Sequence, residues 1–359
     1  MIIEIEPLDT VIFRDGKPFS RGDDSWTDSL TLPTPTTIYG ALRGTYFSQN
    51  PDDFKNIKQN DVTESLIIKG IYLYRDNELL YRVPKDCVHR VNEKKNDKEK
   101  EITILKLDKN FLTSNSLDYN LSLTEEIESI ENKLLNDITF DNYLGGADTL
   151  YGQNLDNFIT IENKIGIGRN KTTKISQDGL LYRVQMLRYA NKIDKNNKKI
   201  HELKIVVIFE GLKLDSLGLM KFGGEAKGAN YKTLKTVELP QIPNLNSNYF
   251  KLYLSTPAIF DKGWLPSWID EESFIGEYQD IELKLLTCAI GKYQSIGGFD
   301  MKTNQPKEMF KSVPNGSVYY FELLKGERDR VVELFHNQSI SDQRVKEGYG
   351  VVFVSEVEQ

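Results

Sequence analysis

The chain has 359 residues, of which 39% are hydrophobic, 11% aromatic and 28% charged. This composition is typical of a globular protein rather than of a disordered or membrane one, and the length predicts two domains of ordinary size, each with its own core. No apolar stretch approaches the length of a bilayer span, and residues 1–6 have no basic region ahead of an apolar run, so we expect a cytoplasmic protein.

The side chains that most often bind transition metals are scarce, because the chain has two cysteines and three histidines. Cys87 and Cys288 cannot build a disulfide framework or a cysteine zinc site, and we expect both to be reduced. His89, His201 and His336 lie far apart without ligand spacing. We therefore expect no metal and no cofactor.

The net charge of -7 argues against a surface that attracts nucleic acid everywhere, but the charges are unevenly distributed. Residues 161–190 carry a local balance of +4, from Lys164, Arg169, Lys171, Lys174, Arg183 and Arg188 against Glu162 and Asp178. Residues 221–235 carry +3, from Lys221, Lys227, Lys232 and Lys235 against Glu225. Residues 123–141 and 270–282 are acidic, and acidic segments of this kind are usually solvated faces or protein contacts.

The first predicted elements follow the order strand, helix, strand, strand. Residues 2–5 alternate apolar and acidic side chains, which predicts a half-buried strand that ends at Pro7. Thr34 and Pro35 supply a cap and a first-turn proline for the helix that follows. Residues 66–74 and 79–83 predict two strands joined by a short turn.

A polar region over about residues 92–142 predicts a long insertion. Ser122 and Glu125 have the residue types and spacing of a capping box, which is typical of the start of a helix. Apolar side chains then recur at helical spacing at Leu123, Ile127, Ile130 and Leu134. This pattern predicts an inserted helix.

A basic hairpin and a glycine-rich loop are predicted next. Residues 164–167 and 180–187 predict two strands around a long basic loop, residues 168–179. After an apolar strand at residues 204–209, a short helix is predicted from leucines at positions 212, 214, 217 and 219. Residues 222–228 form a glycine-rich loop, and Pro240 and Pro243 mark a linker.

The second half repeats the order of strands and helices predicted for the first half, although its first helix is poorly defined. Strands are predicted at residues 251–254, 281–290, 317–321 and 351–354, with a helix marked by Val331, Leu334 and Phe335. The predicted fold class is therefore α+β, with two ferredoxin-like (RRM-like) domains. The first domain, residues 1–238, carries the insertion and the basic hairpin (about residues 161–190), and the second covers residues 239–359.

Glycines and basic side chains form the candidate RNA-binding residues. Gly223 and Gly224 would let a phosphate approach backbone N–H groups, with Lys227 adding charge, whereas the alternative is an ordinary turn. Gly297 and Gly298 form a second, weaker candidate of the same kind.

Arginines and lysines elsewhere extend this candidate set. Arg14, Lys17 and Arg21 lie among phenylalanines, which suits phosphate contacts and base stacking on single-stranded RNA, or equally the docking of a protein. Arg43, inside the first helix, either reaches RNA or pairs with a carboxylate. Positive charge in the hairpin loop comes from Arg169, Lys171 and Lys174, which would contact phosphates.

Candidate catalytic groups are few. Asp23, Asp24 and Asp28 have no supporting base or lysine pattern, so a solvated acidic loop is the favoured interpretation. His89 is the best candidate for a general base, but a structural histidine is favoured there too. The sequence therefore predicts a protein that is not an enzyme.

Nine segments of the chain, in order and spacing, resemble one family: residues 9–19, 33–43, 179–182, 222–228, 256–258, 263–266, 297–300, 313–319 and 347–350. The family is the third subunit of the type III-B (Cmr) CRISPR effector complex, of the RAMP superfamily. The resemblance implies two ferredoxin-like domains that clasp the 5′ tag of the CRISPR RNA (crRNA) without catalysis. It also implies two neighbours, the large cyclase-containing subunit and the target-cleaving backbone RAMP subunit. Residues 92–142 match nothing in this family.

Two other functions fit parts of the sequence. A repeat-processing endoribonuclease of the same superfamily needs a general base near the scissile 2′-OH, and the scarcity of histidine disfavours it. A protein-docking scaffold that contacts no RNA would use the acidic segments. Copurified nucleic acid separates this scaffold from the RNA-binding alternatives.

Overall fold

In the computed structural model the chain folds mainly into β-strands, with few helices. The structure describes residues 1–14, 16, 25–27, 29–91, 100–109, 116–170, 172–189, 203–225, 227–300 and 305–357. The α-helices of these residues are α1 (Pro35–Gln49), α2 (Pro51–Lys55), α3 (Asp137–Leu144) and α4 (Arg328–Phe335). None of them has the length and apolar composition needed to cross a bilayer.

The strands up to residue 233 are β1 (Ile2–Pro7), β2 (Ser25–Thr27), β3 (Ile67–Arg75), β4 (Glu78–Arg82), β5 (Cys87–Arg90), β6 (Ile102–Ile104), β7 (Lys106–Asp108), β8 (Asn120–Ser122), β9 (Ile127–Ser129), β10 (Lys133–Asn136), β11 (Thr149–Leu150), β12 (Gln153–Asn154), β13 (Thr160–Arg169), β14 (Ser176–Arg188), β15 (Lys204–Glu210), β16 (Leu217–Lys221) and β17 (Gly228–Thr233). Those after it are β18 (Tyr249–Leu254), β19 (Ile275–Tyr278), β20 (Ile281–Ala289), β21 (Gln294–Ile296), β22 (Phe299–Asp300), β23 (Gln305–Pro306), β24 (Phe310–Ser312), β25 (Val318–Lys325), β26 (Gln338–Ser339) and β27 (Val351–Glu356).

The first half is built on an eight-stranded sheet in the order β12-β10-β4-β3-β15-β1-β17-β16. The predicted N-terminal strand is confirmed as β1, which pairs antiparallel with β15 and β17. The predicted first helix is confirmed as α1, where the Thr34 side chain accepts from the Thr37 backbone N–H and Pro35 occupies the first turn. Helix α1 buries Ile38 and Leu42 against the sheet.

The second half is built on a six-stranded sheet in the order β19-β20-β25-β18-β27-β26. The predicted late helix is confirmed as α4, which packs Val331, Leu334 and Phe335 against one face of this sheet. Between β18 and β19, where the sequence predicted a poorly defined first helix, the described residues form loops.

The two sheets share a third core on their other faces. Side chains alternate along a strand, so Leu252 of β18 faces α4 while Tyr253 faces the first sheet. Aromatic rings fill this boundary: Phe353 lies 6.4 Å from Tyr72 between ring centroids, and Phe140 of α3 lies 4.9 Å from Tyr253. Both sheets are therefore covered on both faces.

A buried ion pair crosses the boundary. Asp86, which follows β4, is fully buried, and its carboxylate lies 3.0 Å from the Lys251 ammonium of β18. Tyr320 and Tyr143 donate hydroxyl hydrogen bonds to the same carboxylate at 2.6 and 3.0 Å. Four groups from separate elements thus satisfy two charges that water cannot reach.

The predicted helix of the insertion is wrong. Residues 120–122, 127–129 and 133–136 form the strands β8, β9 and β10, and helix α3 begins only at Asp137, capped by the Asn136 side chain. Leu134 and Leu135 of β10 enter two different cores on opposite faces of the sheet, a period of two that the helical spacing of residues 123–134 had concealed.

The short helix predicted from four leucines is also wrong. Leu217 and Leu219 belong to the edge strand β16 and are 71% and 66% exposed, while Leu214 alone of the set is fully buried. The basic hairpin is confirmed as β13 and β14, which extend to Arg169 and from Ser176, beyond the bounds predicted for the two strands.

The Asp86–Lys251 pair gives a stability test. Lys251→Met leaves a buried carboxylate without its cation, so the free energy of unfolding should fall by about 3–5 kcal/mol. Lys284→Met is the matched control on β20 of the same sheet, since the pair that Lys284 forms with Asp118 lies at the surface, and it should cost at most about 1 kcal/mol. Equilibrium urea unfolding measures both, and equal losses would contradict the assigned role of the buried pair.

Candidate nucleic-acid interface

The first glycine-rich loop joins β16 to β17 and lies against the chain that follows β1. The Gly224 N–H donates to the Ile12 carbonyl oxygen at 3.0 Å, and the Phe222 ring packs edge-on against Phe13. Gly223 has φ +78°, and a Cβ at this residue would lie 2.8 Å from the Ile12 oxygen. These glycines thus permit a close backbone approach, and the Gly224 donor is already used within the chain.

The second glycine-rich loop holds the same chain segment a few residues later. The Gly16 N–H donates to the Ser295 carbonyl oxygen at 2.7 Å, and a Cβ on Gly16 would lie 2.8 Å from the Gly297 nitrogen. Residues 12–14 and 16, the bridging segment, therefore connect the glycine loop of the first sheet to that of the second.

Arg14 lies between the two anchors of the bridging segment and is exposed. The structure thus brings together five predicted site residues that the sequence places far apart: Arg14, Gly223, Gly224, Gly297 and Gly298. Lys17 and Arg21, which continue this segment, lie outside the described residues.

Lys227 lies beside the first glycine loop but is paired with a carboxylate. Its ammonium is 2.9 Å from Asp9, which also lies 3.3 Å from Arg188. The hydrogen bond from Lys227 lowers the pKa of Asp9 to about 2, and the same bond raises the pKa of Lys227. The pair is therefore charged at neutral pH, and an RNA phosphate would compete with Asp9 for Lys227.

Arg43 forms an ion pair within the chain. Its guanidinium donates to Asp61 and to the Thr63 hydroxyl, both at 2.6 Å, and lies over the Tyr39 ring. Because Asp61 also caps the turn formed by Val62–Ser65, Arg43 ties that turn to α1. Of the two alternatives predicted for Arg43, the structure contains the pair with a carboxylate.

The basic hairpin projects its charges at the turn between β13 and β14. Arg169 and Lys174 are exposed and form no ion pair with the described residues. The Asn170 side chain orders the turn by accepting from the Thr172 and Thr173 backbone N–H groups. Lys171 lies outside the described residues.

Arg344 is a residue of this face that the sequence analysis missed. Its guanidinium donates to the Gly297 carbonyl oxygen at 3.3 Å and to the Glu308 carbonyl oxygen at 3.0 Å, and it stacks over Phe310. It also reaches the Thr36 hydroxyl of α1. Its sequence signal is its place three residues before the glycine-containing segment at residues 347–350.

The candidate catalytic groups are dispersed. His89 is buried, with one ring nitrogen 2.8 Å from the Glu101 carbonyl oxygen and the other 2.9 Å from the Lys133 ammonium. Burial lowers the pKa of His336, which favours its neutral form. Among the described residues no three His, Cys, Asp or Glu side chains group together as metal ligands. His201, Asp23, Asp24 and Asp28 lie outside the described ranges.

Comparison with known proteins identifies the type of chain. The family model described as CRISPR-associated protein (Cas_Cmr3) matches residues 3–356. A chain in a cryo-EM structure of type III-B Cmr-beta bound to cognate target RNA is 17% identical, with a TM-score of 0.52, over 98% of this chain and 96% of that one. A chain of Cmr-beta bound to cognate target RNA and AMPPnP is 18% identical, with a TM-score of 0.50, over 89% and 86%. A search of curated proteins finds no match.

The steric role of Gly223 can be separated from its backbone angle. Gly223 and Gly263 have φ near +78°, but only Gly223 would place a Cβ against a backbone oxygen, since Gly263 faces open space. Gly263→Ala should cost about 1 kcal/mol of unfolding free energy and Gly223→Ala about 2–3 kcal/mol. Thermal and urea unfolding compare the two, and equal losses would show that the bridging segment does not need this close approach.

Proposed function

Because the chain belongs to the CRISPR-associated Cas_Cmr3 family, we propose that it is a non-catalytic subunit of a type III-B effector complex that binds the 5′ tag of the crRNA in antiviral defence. The family match over residues 3–356 carries this proposal. We place the protein in the cytoplasm, as part of a hetero-oligomeric ribonucleoprotein.

Strand order supports two ferredoxin-like domains, residues 1–238 and 239–359. Four strands of the first sheet run β3-β15-β1-β17 and four of the second run β20-β25-β18-β27. In chain order each set reads 2-3-1-4, the arrangement of the β-α-β-β-α-β unit. The first set keeps only its first helix, α1, and the second set keeps only its second helix, α4. Such sheets bind single-stranded RNA in many proteins.

The bridging segment supplies the RNA path in this proposal. Arg14 is exposed between the two glycine loops, where its guanidinium can contact a phosphodiester backbone. Lys17 and Arg21 extend the positive charge along the sequence. Lys227 joins when a phosphate replaces Asp9 as its partner.

The hairpin suits contacts with a neighbouring subunit as well as with RNA. Ile161, Ile165 and Ile167 point to one face of β13 and are each more than half exposed, while Arg169 and Lys174 lie at the turn. An apolar face of this kind is typical of a protein interface. We propose the backbone RAMP subunit for this face and the large cyclase-containing subunit as the second neighbour.

The proposal predicts a uniform guide end. RNA copurified with the assembled complex should share one repeat-derived 5′ sequence, because one subunit at one end binds one tag. Sequencing the 5′ ends measures this. Random 5′ ends would sink the tag-binding assignment, and the absence of RNA would favour the docking scaffold.

The hairpin charges predict a salt effect. If Arg169, Lys171 and Lys174 each displace a counterion from single-stranded RNA, the triple alanine variant should reduce the slope of log affinity against log salt by about 2. Tagged and untagged RNAs should weaken alike, because phosphate contacts carry no sequence information.

The control for this test removes three cations that already have carboxylate partners, Lys55, Lys284 and Arg330. Alanine at these positions should leave the slope close to that of the wild type. Filter binding over a salt series measures both variants. An unchanged slope in the hairpin variant would assign its turn to solvent or to a protein neighbour.

A further inference from the structure

A basic cleft lies where the end of β4 meets loops of the second sheet. Its volume is about 290 Å³. Arg82, Lys85, Lys133 and Lys292 line it, with Glu131 as the acidic side chain among its lining residues. We call it the junction cleft, and we propose that it binds a phosphate group of the RNA through the Arg82 guanidinium.

The main observation is that Arg82 lacks an acidic partner. Its Nε atom is closed to solvent and has no hydrogen-bond partner, and a guanidinium nitrogen donates only to the neutral Thr31 hydroxyl. No carboxylate of the described residues pairs with it. A half-buried cation whose Nε is closed to solvent and has no counter-ion is costly in a folded protein, so an anion is the missing partner.

Two further lysines at the cleft carry free charge. Lys85 and Lys292 are exposed and have no carboxylate partner among the described residues. Lys133 differs, since it is buried and bonded to His89. The cleft therefore holds one half-buried arginine and two exposed lysines. The arginine can bind one or two oxygens of a phosphate inside the cleft, while the lysines contact the RNA that continues outside it.

Amide side chains make the cleft suitable for a nucleotide rather than for a simple ion. Gln294 and Asn315 line the junction cleft and also an adjoining cavity beneath Pro33 and Thr34. Amides donate and accept, so they can contact a base or ribose once the phosphate is held. Gln294 is three residues before Gly297, so the cleft continues the face that carries the bridging segment.

The backbone around Arg82 is held firmly. The Arg82 carbonyl oxygen accepts from the Tyr253 hydroxyl at 2.9 Å, and the Lys85 N–H donates to the Gly316 carbonyl oxygen at 2.8 Å. Asp86 adds the buried pair with Lys251. Residues 82–86 are thus fixed to the second sheet before a ligand arrives, which lowers the entropy lost on binding.

Two measurements test the cleft, the first with inorganic phosphate as the probe. Phosphate at constant ionic strength should raise the melting midpoint of the wild type but not of Arg82→Gln. Arg75→Gln is the matched control, since Arg75 ends the adjacent strand β3, pairs with Asp76 and lies outside the cleft. It should keep the response to phosphate.

The second measurement uses single-stranded RNA carrying the tag. Arg82→Gln should lower affinity by about tenfold or more and reduce the salt slope by about 0.7, whereas Arg75→Gln should change neither. If Arg82→Gln does not fold, the exposed pair Lys85→Ala and Lys292→Ala decides, with a slope reduced by about 1.4.

The inference uses the proposed function only for the source of the phosphate, and the two can fail separately. RNA binding that both cleft variants leave unchanged overturns the cleft while the proposed function stands. A phosphate response that requires Arg82, in a protein that binds no tagged RNA, keeps the anion site and overturns the tag-binding function. A wild type that does not respond to phosphate, with RNA binding that does not depend on Arg82, ends the inference.

Discussion

The carboxylate of Asp86 and the ammonium of Lys251 lie 3.0 Å apart in the interior, and the relation between the two sheets depends on this contact. Removing both charges from water is costly, and the tyrosine hydroxyls of Tyr143 and Tyr320 offset that cost only in one arrangement. Aromatic packing at the boundary is less directional. The ion pair therefore specifies how the sheets meet, while the rings pack the boundary between them.

The position of the candidate RNA-binding residues depends on how the two sheets meet. Residues 82–86 run from the first sheet to the ion pair, so they set the position of Arg82 at the junction cleft. On the same side, the bridging segment is held by Ile12 to one glycine loop and by Gly16 to the other. Neither half of the chain contains a complete candidate site. Both halves contribute, and changes in how the sheets meet would separate the cleft from Arg14.

Local signals in the sequence predicted much of this structure. Thr34 and Pro35 marked the start of α1, alternation marked β1, and a short turn between two runs marked β3 and β4. Prediction failed where apolar spacing fits two periods: Ile130 and Leu134 were assigned to a helix, but tertiary packing places them in two different cores.

At the site, the glycine loops and Arg14 were predicted as separate features, because nothing local indicates that a segment after β1 will join them. Arg82 and Arg344 were missed for the same reason. A single arginine at the end of a strand forms no recognisable sequence pattern. Arg82 is a candidate ligand-binding residue only because no carboxylate lies near it in the folded chain, and the sequence does not show this.

The central claim, that the crRNA tag follows the bridging segment and the junction cleft, is tested most directly by photocrosslinking. Guide RNA with 4-thiouridine in the tag, assembled into the complex, should crosslink to peptides containing residues 12–16 and residues 291–298. Crosslinks confined to other surfaces of this subunit, or to other subunits, would contradict the account.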